Sequence, residues 1–246
     1  MDTLYIVMPA YNEEKNLQAV AEAWYSVIER HNAEGKSRLL IVDDGSKDST
    51  AEIGRNLAGR YPYLEFITKQ NTGHGATVLF AYQYALQANA DYIFQTDSDG
   101  QTVPEEFEQF WDKRKDFSAI IGYRRQREDG FSRIVVTKTL KVVLRVVFGL
   151  NVTDANAPFR LMKRELLQEY LPDVPDHFNL SNVMLTVLFL YNEEDVLFVP
   201  ITFRQRQGGV NSINIPKICR IGMWAVKDFW KIKKGMRRHG ELGRSV

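Results

Sequence analysis

The sequence predicts an α/β protein with a mostly parallel central sheet flanked by helices. Two observations from its first half carry that prediction. Short runs rich in β-branched and aromatic residues alternate with segments of helical period. Each run ends in a polar loop, and these loops read PAYNEE, DDGS, KQNTGHG and TDSDGQ. A third observation is scale, since 246 residues with 44% apolar side chains suit one domain with a substantial core. Ligands of such sheets bind beyond the carboxyl ends of the strands, so the four loops are where function is sought.

In chain order, residues 4–8 read as the first strand, and a helix over 13–30 follows with Leu17, Val20, Ala21, Trp24 and Ile28 on one face. A strand at 38–42, a helix over 49–57, a strand at 64–68, a helix over 75–87 and a strand at 92–95 continue the alternation, and a strand near 119–122 closes it. The second half is less regular. Segment 134–150 reads as a helix that is apolar almost throughout, interrupted by Lys138, Lys141 and Arg145 on a narrow stripe. Such a helix is either deeply packed or lies in a membrane interface. A loop over 154–160, a helix over 179–191, a strand at 197–203 and an Arg/Gly loop at 204–209 follow, and a basic amphipathic helix over about 215–238 ends the chain.

Composition excludes several classes. The one cysteine, Cys219, leaves no internal disulfide framework and no Cys-rich zinc site, and His31, His74, His177 and His239 are too scattered for a His-based metal centre. The N-terminus lacks the basic leader of a signal peptide, and no window offers the roughly 18 apolar residues of a membrane span. The expectation is therefore a cytoplasmic protein, peripheral at most at the membrane face. The net charge of +1 conceals an asymmetry: nine basic and two acidic residues from Lys217 onward leave the tail at +7 and the body at −6. An anionic surface is the expected partner of that tail. An acidic body without a base-reading motif argues against nucleic acid.

The loops carry the chemistry. Asp97 and Asp99 flank Ser98 directly after a strand, and carboxylates at i and i+2 in an extended turn can converge on a hard divalent cation that also binds substrate phosphates; the alternative is a solvated acidic turn. Asp43 and Asp44 leave the apolar run LLIV and can accept hydrogen bonds from a base or ribose, while Ser46 or Ser49 caps the next helix. In the first loop Pro9 gives a rigid turn, Tyr11 an aromatic face, and Asn12 and Glu13 acceptors ahead of a helix N-terminus. The segment from Asn71 to Gly75 superficially suggests the dinucleotide fingerprint, but Val78 holds the third glycine position and the segment follows the third strand. Its glycines either let backbone approach a nucleotide or form the turn.

Taken in order, PAYNEE, VDDGS, QNTGHGA and TDSDGQ resemble the family-2 glycosyltransferases, which have the GT-A fold and invert configuration at the sugar. Within that family the chain is similar to the dolichol- and polyprenyl-phosphate hexosyltransferases, because Gln101 follows the Asp-x-Asp and the stretches TDANAPFRLMKR and PITFRQRQGG continue their pattern. It departs from them after Gly208-Gly209, where Ser212-Ile213 stands in place of a frequent Ser-Lys. The resemblance implies a Rossmann-like GT-A domain over 1–210, with a nucleotide-sugar half at 1–122 and an acceptor half at 123–210, followed by the basic helix and tail at 211–246. It implies that Pro9, Tyr11, Glu13 and Asp44 hold base and ribose, with Asn12, Asp43, Asn71, Gly75 and Ser98 as further nucleotide contacts. Asp97, Asp99 and Gln101 would hold Mg2+ or Mn2+ and the diphosphate, and Asp154 would lie near the acceptor as base or orienting group.

The expected reaction moves a hexose from UDP- or GDP-hexose to polyprenyl phosphate. A lipid phosphate is already anionic and needs cations rather than a base, for which Arg124, Arg125, Arg160, Arg204 and Arg206 are the candidates. Two rivals stand beside this reading: the same donor chemistry on a soluble glycan, cell-surface polymer or protein hydroxyl, and a non-catalytic nucleotide-sugar-binding protein.

Overall fold

The computed structural model describes residues 2–32, 34–124, 131–176, 178–204, 229, 230 and 233. Its strands are β1 (Leu4–Ala10), β2 (Arg38–Asp43), β3 (Leu64–Thr68), β4 (Tyr92–Gln95), β5 (Ala119–Arg124), β6 (Arg160–Lys163) and β7 (Val196–Ile201). The helices are α1 (Leu17–Arg30), α2 (Thr50–Arg60), α3 (His74–Gln87), α4 (Glu108–Trp111), α5 (Phe131–Phe148), α6 (Arg164–Tyr170) and α7 (Ser181–Tyr191), with a 3-10 turn, Pro104–Phe107, leading into α4. One sheet contains all seven strands in the order β3-β2-β1-β4-β6-β5-β7. Four of its pairings are parallel, and β6 alone runs antiparallel to its neighbours β4 and β5.

The alternation of side chains along β1 explains why the sheet is covered on both faces. Leu4, Ile6 and Met8 join Leu39, Ile41, Trp24 and Phe94 on the α1 side, while Tyr5 and Val7 join Leu40, Val42, Val78 and Tyr82 beneath α3 and α7. Every residue of β1 is buried as a result. Trp24 anchors the first face against Phe94, Phe107 and Phe159, at ring-centroid distances of 5.4, 6.4 and 5.8 Å. On the same face, a Cβ at Gly54 would lie 2.0 Å from the Phe66 ring, so glycine lets α2 seat closely on β3.

Topology then fixes where a ligand can sit. The chain steps outward from β1 through β2 to β3 and returns to the other side of β1 with β4. The loops after β1 and β4 therefore diverge at a switch point, the place where open α/β sheets bind ligands.

The structure differs from the sequence reading at several elements. Helix α1 starts at Leu17 rather than at residue 13, because the amides of Asn16 and Leu17 donate to the Glu13 carbonyl and make a separate turn. Strand β6 and helix α6 occupy chain for which the sequence predicted no element, and α4 with its 3-10 turn was not expected either. The four residues of β6, RLMK, have charged ends and no β-branched side chain, so they carry no strand signal. Helix α5 buries Leu144, Val147 and Phe148 but leaves Val142 and Val146 61% and 71% exposed, between the exposed Lys138, Lys141 and Arg145. The expected basic helix at 215–238 lies outside the described residues except for three. Phe229 is buried between Phe148 and Phe178, Trp230 is about half exposed, and Lys233 donates to the Val147 carbonyl.

Arg160, expected as an acceptor-side cation, is instead wholly buried at the start of β6, opposite Gln95 of β4 and Ile121 of β5. Its guanidinium donates to the carbonyls of Ala155, Ala157 and Asn182 and to Thr186 Oγ1, at 2.7–3.3 Å. Those bonds tie the loop before β6 to α7. Arg160→Met should strip the Ala157 carbonyl of its guanidinium donors and leave the Ala155 and Asn182 carbonyls with the Thr186 hydroxyl in place of both groups, at a cost on the order of 3 kcal/mol in urea denaturation. Arg160→Lys, which lacks the planar fork, should recover only part of the loss.

Candidate active site

The first two loops are buttoned together before any ligand is considered. The Asn12 amide donates to Ser46 Oγ (2.8 Å), and the Lys47 amide donates back to Asn12 Oδ1 (2.9 Å). The Glu13 amide donates to Thr50 Oγ1 (2.8 Å), and the Ser49 amide donates to Glu14 Oε2 (3.1 Å). Asn12 has φ 55°, a left-handed conformation that asparagine tolerates better than most residues. Tyr11 is left 43% exposed at the rim.

The two acids after β2 look in different directions. Asp43 is fully buried and accepts the Ser46 amide and hydroxyl, so it shapes the Gly45 turn. Asp44 accepts the amides of Thr72 (2.9 Å) and Gly73 (2.8 Å) and pairs with Lys69 at 2.5 Å. Burial alone would raise its carboxyl pKa, but Lys69 and the hydrogen bonds of Thr72, Thr77 and Gly73 hold it below the ordinary carboxylate value. Asp44 therefore fixes the loop after β3 in addition to bordering the ligand space.

That space is a cleft of about 460 Å3 between the loops after β1, β2, β3 and β4, within the range of small-ligand sites. Its lining includes Pro9, Tyr11, Glu13, Asp44, Asp97 and Asp99, and Asn71 and Ser98 also border it. Ser98 is held by its hydroxyl, which donates to the Pro9 carbonyl at 2.8 Å and ties the β4 loop to β1. His74 and Thr77, from the first turn of α3, line the cleft without having been singled out in the sequence. Lys69 was missed too, although a buried acid beside the end of β3 calls for a counter-ion there.

Gly75 does not face the cleft. A Cβ at this position would stand 2.3 Å from the Phe178 carbonyl oxygen, so the glycine allows α3 to meet the backbone at 178–179. The expected nucleotide contact is replaced by a packing requirement.

Asp97 and Asp99 lie together on the cleft wall with a divalent-cation site in prospect. Asp97 Oδ1 is buried without a hydrogen-bond partner among the described residues, while Asp99 Oδ1 accepts the Gln101 amide at 3.1 Å. Four carboxylates, those of Glu13, Asp44, Asp97 and Asp99, line the cleft, and among the described residues no Lys or Arg lines it. A diphosphate would be repelled there unless a cation lay between the two sets of charges. The described residues contain no cluster of three or more His, Cys, Asp or Glu side chains closed around one point. That fits an ion completed by phosphate oxygens and water. Gln101 directs its side-chain amide elsewhere, onto the Arg204 carbonyl at 2.8 Å.

In the second half of the chain, Arg124 and Asp154 form a two-pronged ion pair at 2.8 and 3.0 Å, with side chains 10% and 8% exposed. Antiparallel β6 brings the Asp154 loop to the same sheet edge as Asp97, and buried Arg160 interacts electrostatically with both acids. Arg204 is exposed, and the predicted Arg125 and Arg206 lie outside the described residues.

Fold and cleft together define an α/β protein with an acidic cleft at the switch point of its sheet. The chain belongs to glycosyl transferase family 2, whose sequence model matches residues 5–171. It is 28% identical over 243 residues to a polyprenol monophosphomannose synthase of Mycolicibacterium smegmatis, covering 95% of this chain and 88% of the relative. A dolichyl-phosphate beta-glucosyltransferase of Trichomonas vaginalis is 26% identical, with coverage of 90% and 73%. Among solved structures, glucosyl-3-phosphoglycerate synthase from Mycobacterium tuberculosis, crystallised with Mn2+, UDP and glucosyl-3-phosphoglycerate, superposes with a TM-score of 0.66 at 16% identity. The match covers 94% of this chain and 80% of that one, which shows the shared GT-A fold.

Because the folded pKa of Asp44 lies below its unfolded value of about 3.9, its stabilising contribution is complete above that pH and disappears as pH falls through the folded value. The melting temperature of Asp44→Ala should therefore fall below wild type at pH 7, and the gap should narrow progressively below about pH 4. A gap independent of pH would mean that the carboxylate charge does not fix the loop.

Proposed function

We propose that this chain transfers a hexose from a nucleoside-diphosphate sugar to polyprenyl phosphate, with inversion at the sugar, at the cytoplasmic face of a membrane. The observation that carries the donor half is the cleft wall of four carboxylates, with no lining Lys or Arg among the described residues, at the switch point of the sheet. Asp97 and Asp99 are the residues that would hold Mg2+ or Mn2+, with Gln101 limited to whatever its carbonyl oxygen contributes. Such an ion neutralises the charge that builds on the departing diphosphate. Tyr11 offers an aromatic face to the base, and the Glu13 and Asp44 side of the cleft offers acceptors for base or ribose hydrogens.

The acceptor half is supported by the activities named for the relatives and by the Arg124–Asp154 pair. Each Asp154 oxygen accepts a guanidinium hydrogen, so a hydroxyl acceptor using this carboxylate as its base would have to share it with Arg124. A phosphate monoester needs no base and is attracted by Arg124 and Arg204.

Membrane attachment is assigned to the open face of α5, where Val142 and Val146 stand between Lys138, Lys141 and Arg145. No helix among the described residues is long and apolar enough to cross a membrane.

The direct test incubates the protein with Mn2+, radiolabelled UDP- and GDP-hexoses and a short prenyl phosphate, and follows label into organic solvent. Asp99→Asn should keep its fold by circular dichroism and lose transfer by roughly 10²–10³-fold. Label remaining in the aqueous phase, attached to a glycan, would instead select the hydroxyl-acceptor reading. In a second assay, wild type should sediment with anionic liposomes at low salt. The triple variant Lys138→Glu, Lys141→Glu, Arg145→Glu should not, since each cation near such a surface contributes about 1 kcal/mol and salt screens it. Equal sedimentation of both proteins would remove α5 from the membrane contact.

A further inference from the structure

The Asp-x-Asp loop and the chain leaving β7 are joined by a reciprocal pair of hydrogen bonds. The Arg204 amide donates to the Gln101 carbonyl at 2.8 Å, and Gln101 Nε2 donates to the Arg204 carbonyl at 2.8 Å. Gln101 is only 9% exposed, so water has little access to compete for that carboxamide. Two residues before Arg204, the Thr202 amide is held between both oxygens of Glu106, at 3.0 and 2.9 Å. Between these fastenings the Phe203 ring carries the Arg124 guanidinium at 4.9 Å from its centroid, and Arg124 is the residue paired with Asp154. On the other side, the Gln101 amide donates to Asp99 Oδ1. A continuous set of contacts thus runs from Asp99 through Gln101 to Phe203 and Arg204, and on to Arg124 and Asp154.

We infer that Gln101 is a positioning residue that couples occupation of the Asp97/Asp99 wall to the placement of Arg204 and Arg124 on the acceptor side. The inference rests on the donor and acceptor reading above. Its physical content is the side-chain amide. Only a residue with an N–H at this position meets the Arg204 carbonyl, and an oxygen placed there would face another oxygen. The roles separate because Gln101→Glu keeps an oxygen available to a cation while abolishing the side-chain bond to the Arg204 carbonyl and leaving the main-chain bond in place.

The test uses Gln101→Glu in the full chain, with three readouts: calorimetric affinity for UDP or GDP with Mn2+, amide hydrogen exchange of the peptide containing 202–204, and KM and kcat with a short prenyl phosphate. In wild type, nucleotide with Mn2+ should slow exchange at 202–204. At saturating nucleotide and Mn2+ the variant should lose that slowing and raise KM for the prenyl phosphate about tenfold with a smaller change in kcat. Gln101→Asn, whose amide is one methylene short of Arg204, should behave the same way and substitutes for the first variant if that fails to fold. Retained slowing and an unchanged acceptor KM overturn the coupling. So does a loss confined to nucleotide affinity, which would make Gln101 a donor-side residue only. A wild type that binds neither nucleotide with Mn2+ overturns the donor reading itself, a failure visible before any variant is made.

Discussion

Arg160 has no contact with water, and its guanidinium is directed onto three main-chain carbonyls and the hydroxyl of Thr186. Burial pushes its pKa down from the ordinary arginine value, with Tyr82, Asp154 and Asp97 opposing that push. A guanidinium nevertheless keeps its proton, so a permanent charge sits beneath the carboxyl edge of the sheet. Two consequences follow. The loop carrying Asp154 is held against α7 and cannot drift from the edge where Asp97 emerges. The cation is also committed to the scaffold, so the negative charge of a substrate must be met by other groups nearer the surface.

The acids at neighbouring strand ends share a sequence appearance and divide into two kinds of work. Asp43 and Asp44 turn toward backbone amides, a serine and a lysine, and so shape the turns that border the cleft. Asp43 Oδ2 and Asp97 Oδ1 are both buried without a hydrogen-bond partner among the described residues, and of the two only Asp97 lines the cleft. A carboxylate in that condition is costly unless a cation reaches it, which makes Asp97 the least self-sufficient group on the wall. Among the described residues no lysine or arginine lines that wall, so a metal ion is the proposed counter-charge for an anionic nucleotide there. That arrangement ties donor binding to the ion that the reaction also requires.

The regular half of this fold was legible because parallel strands covered on both faces leave near-continuous apolar runs, and each run ends in a loop of distinctive composition. The Asp-x-Asp stood out for the same reason, as charge directly after such a run. What the sequence concealed was direction. Arg160 and Gly75 were read as ligand contacts from their place in polar loops, yet one points into the core and the other meets the backbone at 178–179. His74, Thr77 and Lys69 went unassigned because their position on the cleft depends on where the first turn of α3 and the end of β3 come to rest against β2. Strand β6 escaped because pairing with β4 and β5 makes it a strand, while its own four residues have no strand preference.

The proposed acceptor sets a geometric condition that the order of elements in the second half can meet. A polyprenyl chain stays in the bilayer, so its phosphate is available only close to the membrane surface. Arg124 is the last residue of β5 and α5 begins at Phe131, so only residues 125–130 separate the acceptor-side ion pair from the helix whose open face carries Lys138, Lys141 and Arg145. A chain rises by at most about 3.5 Å per residue, which keeps Arg124 within about 25 Å of the start of α5, and the helical rise of about 1.5 Å per residue places Lys138 to Arg145 about 10–21 Å further along it. Attachment through a few cations and two exposed valines is weak enough to be reversible. Reversibility matters because the donor is soluble and the acceptor is not: the protein can fill its cleft from solution and still bring Arg124 to a phosphate that never leaves the membrane.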